Sequence, residues 1–594
     1  MKIIKQLSSV CLPLLGMLVL GSCADNFIEQ PALGALDDQV VTTADGAQKL
    51  LIGAYGALDG QQDAGSALGG GNPWEAAPDN WVYGTVAGGE ASKGSFGGDQ
   101  PAIDQIVKFI SNPANGFYNT KWKALYEGVV RCNNTLRILS NVEEIADAER
   151  LSIEAQAHFL RGHYYFELKK MWNMVPYIDE TTEDANQPND ADIWPLIEAD
   201  FQFAYDNLSP TQSDFARANK WAAGAYLGKT FLYQKKFAEA REIFNTVITS
   251  GVNSGGASYD LTTFFKDNFD AATENNVETV FDIQMVANDG TSTIANSNSG
   301  GKLNFPYNSP FRCCGFYQPS QDLMNSYRTD ESTGLPYLNN YNADPVKSDF
   351  GISADDSFTP YTGSLDPRAD WTIGRRGVPY HDWGNHPGIA WIREQSYGGP
   401  YAPKKTIYRQ ATQDIYADQS SWAPGTAINV HVIRFADVLL MGAEAEAQTG
   451  NLNTALEYVN RIRNRAAAKD GFLKKYIDNA DPLAGFTDQD AANYNIQPYT
   501  ASQFSSQENA LEAIYFERKL ELAMEGHRFF DLVRWGTAEK TLNAYFDYQG
   551  KITTDVRGGK FISGKNDYYP IPQAQIDLSI GGDGTPVLTQ NPGY

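Results

Sequence analysis

Apolar residues recur every three to four positions over long stretches of the chain. This spacing predicts helices over 119–140, 149–173, 192–208, 217–235 and 237–250, with a first helix starting near Asp45 and running through Leu50, Ala54 and Ala57. The pattern resumes over 431–449, 452–467 and 506–526. Between the two blocks, residues 251 to 430 lose the helical rhythm and are dominated by Gly, Pro, Asn, Ser and Tyr. Only short strand-like pieces such as Glu278–Gln284 interrupt them. So long a stretch is not bare loop in a compact protein, so it reads as an irregular subdomain laid over one face of the helices. The last 60 residues read as loops and short elements.

Two stretches repeat a helix–turn–helix theme. Trp221–Tyr233 turns near Lys235 into Phe237–Phe244, and Val438–Gln448 turns at Gly450–Asn451 into a helix through Ala455, Val459 and Ile462. Small residues on one helix admit large ones from the next, which is similar to tetratricopeptide repeats, although the full consensus is absent. The expected fold is mainly α: a tetratricopeptide-like α-helical solenoid scaffold with a large, loop-rich subdomain carrying short strands.

Composition narrows the function. With 594 residues and 42% hydrophobic content the chain can bury a large core. Its formal charge of −25 argues against nucleic acid and favours a neutral ligand over a polyanion. Eleven Trp and 32 Tyr are more rings than a helical scaffold needs, so some are free for recognition.

The first residues read as an address. Lys2 and Lys5 precede the apolar run Val10–Leu20, too short to span a bilayer, and Leu20-Gly-Ser-Cys23 resembles a bacterial lipobox. Residues 1–22 are expected to be a signal peptide, Cys23 the lipidated residue and 23–43 a tether, followed by helical regions 44–250 and 431–594 around the subdomain 251–430. No later segment is long and apolar enough for a transmembrane helix, leaving attachment through lipid alone. Outside the cytoplasm the adjacent Cys313 and Cys314 can close a vicinal disulfide, the alternative being two buried thiols. Cys132, within a helical pattern, reads as core.

Nothing points to catalysis. The six histidines form no His-Glu-x-x-His motif; His381 and His386 are a loop pair better suited to hydrogen bonding than to a metal. Gly228-Lys-Thr230 lacks the upstream glycine of a phosphate loop, where Ala223 stands. Glu517, Arg518, Glu521, Glu525, Arg528, Asp531 and Arg534 crowd one helix and its following turn, with Gly526 as the helix-ending residue. The cluster imitates a paired-carboxylate site but reads as an ion-pair network between helices. No cofactor and no metal is called for.

Four stretches stand out: Ile433–Ala445, Val459–Ala466, Glu517–Trp535, and Tyr569-Pro-Ile-Pro572 with the terminal Gln590–Tyr594. They resemble the SusD/RagB family of nutrient-binding outer-membrane lipoproteins. Leu160–Leu168 followed by Val175-Pro176 also fits, with Asn173 where the family has glycine. The resemblance implies a helical scaffold with a loop-built ligand face, acting without chemistry. It further implies a lid on a SusC-like TonB-dependent outer-membrane transporter that receives oligosaccharides or, in RagB-type branches, peptides.

An oligosaccharide site wants flat rings for sugar faces and polar side chains for hydroxyls. Trp81 is the first candidate platform, the alternative being an anchor for the glycine-rich 60–101 segment. Asp37 and Asp63 are candidate hydroxyl acceptors, and Cys313–Cys314 a rigid apolar ledge. Arg375, Arg376, Tyr380, Trp383, Trp391 and Tyr397 are further candidates, about half of them structural.

Overall fold

The computed structural model describes residues 41–60, 71–290 and 296–594. Asp37, Asp63, Cys23 and the signal and most of the tether lie outside the described residues. The described chain is mainly helical, and its principal helices are α1 (Ala44–Gly56), α2 (Gly116–Ser140), α3 (Asp147–Trp172), α4 (Trp194–Asn207), α5 (Lys220–Tyr233) and α6 (Phe237–Ser250). After the loop-rich region come α7 (Phe435–Gln448), α8 (Leu452–Ala466), α9 (Gln507–Glu521), α10 (Arg528–Arg534) and α11 (Ala538–Gln549). Each helix from α1 to α6 packs on the next; α7 then packs on α6 and carries α8 and α9 with it. The stack therefore continues across an excursion of 184 residues, 251–434.

Local chemistry sets the helix ends. The Asn219 side chain accepts from Ala222 N at 2.9 Å and Ser506 Oγ from Asn509 N at 3.2 Å, caps of about 1 kcal/mol each. Asn173 ends α3 at φ 56° and ψ −60°, a positive-φ turn closed by Met174 N donating to Trp172 O at 2.6 Å rather than a left-handed helical residue. Helix α9 stops at Glu521, earlier than its periodicity suggests. Gly526 lies in the turn beyond, at φ +82°, where a Cβ would fall 2.0 Å from Asp79 O. Helix α7 begins only at Phe435 because 430–434 is a strand, and the 12-residue α11 replaces expected loop by burying Leu542, Tyr545 and Phe546.

The strands are short and paired in twos. They include β1 (Ala91–Gly94), β2 (Thr279–Ile283), β3 (Phe316–Pro319), β4 (Ala417–Asp418), β5 (Gly425–Thr426) and β6 (Val430–Arg434). The antiparallel β2–β6 pair, with Thr279 opposite Arg434 and Ile283 opposite Val430, staples together the entry and exit of the loop-rich region. That region has its own apolar cluster of Phe305, Phe311, Tyr380, Ile407 and Tyr408, against which Trp383 and Trp391 pack. Cys132 is fully buried in the main core.

Candidate functional site

Trp81 is not a platform. It opens a π-helical turn, Trp81–Val86, and is 0% exposed. Its Nε1 donates to Gly300 O at 3.2 Å, and its ring meets Phe316 and Tyr317 edge-on at 6.3 and 5.6 Å. One indole thus holds both the 3-10 turn Ser299–Asn304 and strand β3. Gly300 is needed at this approach, since a Cβ there would lie 2.7 Å from Ala77 Cβ. Trp81 is the post on which the loop face hangs, the anchoring alternative raised by the sequence.

The indole that faces outward is Trp422, 53% exposed. It stands at the tip of the β4–β5 hairpin, where Asp418 Oδ1 accepts from Ser420 N at 2.8 Å and fixes the turn. Trp74, in the proline-initiated turn Pro73–Glu75, meets it at 6.3 Å with the rings 84° apart. That turn packs on Ser299–Asn304, and Asn298 N donates to Thr426 O at 2.9 Å, tying the three pieces together. Lys302 Nζ lies 5.8 Å from the Trp422 ring centre. Asn304 is 1% exposed with both amide atoms unpartnered, and Trp74 Nε1 is likewise unpartnered. Trp74, Trp422, Lys302 and Asn304 were not among the sequence candidates. The turn-forming run Asp418–Gly425 around Trp422 was the available signal for that ring.

Further along the same segment, Cys313 and Cys314 are joined by a vicinal disulfide, Cys313 half-buried and Cys314 buried. Near it Arg393 lies over Tyr307 at 5.0 Å and Phe96 at 4.3 Å, and donates to Ser95 Oγ at 3.0 Å and Asp99 Oδ2 at 2.9 Å. Gly315 brings this strip against the disulfide, its missing Cβ falling 3.0 Å from Tyr307 Cβ and 3.7 Å from Arg393 Cβ.

The other candidates are mainly structural. Arg376 is buried and donates to Ser353 O, Ala354 O and Asp356 O at 2.7–2.9 Å, pinning a loop. Arg375 is buried in a fork with Asp370, and Tyr380 is 0% exposed. Tyr397 is 7% exposed with its hydroxyl on Asp104. Trp383 is half-buried, its Nε1 donating to Tyr408 O at 2.9 Å and its ring 4.7 Å from Phe311. These groups were drawn inward because the loop-rich region had to build an apolar cluster of its own.

The carboxylate–arginine cluster is a lock between helices. Arg434 reaches Glu278, Glu521 and Glu525 at 2.6, 2.7 and 2.8 Å; Arg368 reaches Asp366, Glu517 and Glu521 at 2.7–2.8 Å. Arg518 pairs with Asp437 and Asp531, and Arg534 with Glu444. Burial pushes the Glu525 carboxyl up, but the Arg434 guanidinium and the Lys405 ammonium outweigh it and hold it at about 2. Such a group stays ionised and is no proton donor near neutrality. His381 Nε2 faces Lys404 O at 3.0 Å, and burial lowers His386 to about 3. Among the described residues no three His, Cys, Asp or Glu side chains gather as a metal site.

With this geometry in place, the comparisons define the class. The SusD family model matches residues 277–594, more than half of the chain, and a model described as "Starch-binding associating with outer membrane" matches residues 82–232. The chain belongs to the SusD/RagB family. It is 24% identical over 513 residues to SusD-like protein P2 of Formosa agariphila, covering 82% of this chain and 83% of that one. A SusD superfamily crystal structure from Bacteroides vulgatus shares the fold at TM-score 0.66 and 22% identity, covering 93% of this chain and 99% of that one. Surface glycan-binding protein A from Bacteroides thetaiotaomicron, solved in complex with laminarihexaose, matches at TM-score 0.64 and 20% identity, covering 92% and 99%. Among the described residues no helix is long and apolar enough to cross a membrane.

Proposed function

We propose that this protein captures oligosaccharides on the loop face around Trp74 and Trp422, without chemistry, and passes them to a SusC-like TonB-dependent transporter. In this reading residues 1–22 are removed, Cys23 carries the lipid, residues 23–43 tether the fold to the outer membrane, and the ligand face looks outward. The observation that carries the proposal is the exposed Trp422 indole held square to Trp74. An exposed ring gives a sugar C–H face a surface, and the unpartnered Trp74 Nε1 and Asn304 amide give its hydroxyls partners once the loops adjust. The Arg393–Tyr307 strip and the Cys313–Cys314 ledge extend the face. The family description and the laminarihexaose complex of a structural relative support a neutral glycan.

Two rings and a few wet hydrogen bonds give a Kd of about micromolar to millimolar, weak enough for onward release. Affinity electrophoresis against laminarin and starch tests this. Wild type should be retarded by at least one glycan and Trp422→Ala by none. Equal retardation of both sinks the site assignment. Retention of peptides with no glycan bound would move the protein to the RagB-type peptide branch, and release of shorter sugars by purified protein would make it an enzyme.

A further inference from the structure

The loop face is not the only concave surface with rings. A groove of about 440 Å³ lies between α9, α10 and the start of α11, a size within the range of small-ligand clefts. Its wall is the Tyr515–Trp535 pair, stacked at 3.8 Å and 18°. Trp535 cannot swing, because its Nε1 is shared between the two Glu444 oxygens at 3.2 Å each. Tyr515, half-buried, is left as the ring bordering the groove.

Arg528 lines the same groove, its guanidinium carbon 5.9 Å from the Trp535 ring centre. The neighbouring arginines are all committed: Arg518 to Asp437 and Asp531, Arg534 to Glu444 and Asp531. Arg528 is half-buried, yet among the described residues it makes no ion pair or hydrogen bond. The buried carboxylates Asp437, Asp531 and Glu444 are already spent on Arg518 and Arg534. Its charge acts on the buried Glu90 carboxylate and the Trp535 ring without a hydrogen bond to either, so its donors stay open, and a planar fork beside a fixed ring suits a planar carboxylate.

We infer that the α9–α10 groove is a second ligand site, and that it takes a sugar ring bearing a single carboxylate, a uronic acid residue within an otherwise neutral glycan. The ring packs on Tyr515 and its carboxylate pairs with Arg528. Glu508 and Glu512 on the exposed rim accept hydroxyls and repel a run of negative charges, so the site suits an isolated uronate and disfavours a polyuronate. This inference does not depend on the loop face, although both assign glycan binding to the protein.

Ligand-observed NMR with methyl glucuronide against methyl glucoside tests it on the full mature chain. Wild type should bind the glucuronide about tenfold more tightly. Arg528→Gln should bring the ratio to about one, Arg528→Lys should keep part of it, and Tyr515→Ala should weaken both sugars. Trp422→Ala should leave the ratio intact, which separates failure here from failure at the loop face. A wild-type ratio near one, a ratio unchanged in Arg528→Gln, or no binding of the glucuronide overturns the inference. So does displacement of the glucuronide by a peptide with a free C-terminus through the same arginine, which would make the groove a peptide site.

Discussion

The surroundings of α9 and the loop face around Trp422 are built on opposite terms. On the inward face of α9, Glu517, Glu521 and Arg518 are buried with each charge answered by another, and that face has no freedom left for a ligand. On the loop face Trp422 is half in solvent, and the polar atoms of Asn304 and Trp74 have no partner in the protein. Charge density marks the lock in this molecule, while unspent hydrogen-bonding capacity beside an exposed ring marks the site. Removing a partner should destabilise the first region, and removing a ring should empty the second without unfolding it.

The largest effect should come from Arg434→Ala. It leaves Glu278, Glu521 and Glu525 one cation short in the interior, with Arg465, Arg368 and Lys405 as their remaining partners, which costs about 3–5 kcal/mol. Chemical denaturation should show the loss directly; a midpoint within experimental error of wild type would mean that water replaces the arginine. Trp81→Ala sharpens the comparison between the two tryptophans. Emptying its pocket costs about 3–5 kcal/mol and frees Ser299–Asn304, so stability and glycan affinity should fall together. Were Trp81→Ala to lose affinity at unchanged stability, the buried indole would not be acting as a post.

The lock should also answer to pH from both sides. His431 donates toward Asp282 Oδ1 at 2.9 Å and Asn268 O at 2.6 Å. Burial lowers its pKa, but the Asp282 carboxylate outweighs burial and raises it to about 9. A raised histidine stabilises the fold fully below its unfolded value near 6.5, and that contribution, on the order of 3 kcal/mol, disappears as pH rises through about 9. Glu525 has the opposite sign: its contribution is present above about 4.5 and fades as pH falls through about 2. Thermal unfolding across pH 6–10 should show a decline that His431→Gln flattens. Parallel curves for the two proteins would remove His431 from the lock.

How far these regions could be read in advance follows the range of the interactions that make them. Helix α3 was legible as 149–173 because its stripe of Leu160, Tyr164 and Leu168 is a local signal, and the Glu517–Arg534 network was legible because its charges crowd one short stretch of sequence. The loop face was not. Whether Trp81 or Trp422 faces solvent depends on Gly300, 219 residues from Trp81, and no local pattern records that partner. The glycine-rich setting of Trp81 marks an approach by another backbone as readily as a ligand pocket.

A middle-sized effect falls on binding alone. Trp422→Ala should weaken glycan affinity by about 1–3 kcal/mol, roughly tenfold or more, with the unfolding midpoint unchanged, because half of the ring is already in water. Isothermal titration with laminarihexaose reads the first and denaturation the second. A destabilised Trp422→Ala would place this ring among the structural ones and break the contrast with Trp81.

The smallest stability change should follow removal of the disulfide. Cys313 and Cys314 are adjacent in sequence, so the closed loop is minimal and the unfolded chain loses little freedom by forming it. The Cys313→Ser/Cys314→Ser pair should therefore shift the unfolding midpoint by less than about 1 kcal/mol. What the bond does supply is a stiff apolar edge beside Tyr307, Arg393 and Phe96, in a segment whose half-buried Cys313 reaches solvent. Glycan affinity should fall severalfold in the double variant and in wild type treated with a reductant, while Trp422→Ala should lose affinity whether reduced or oxidised. If reduction instead collapses the fold and leaves affinity proportional to the folded fraction, the disulfide belongs with the lock around α9, and the ligand face ends at the Trp74–Trp422 corner.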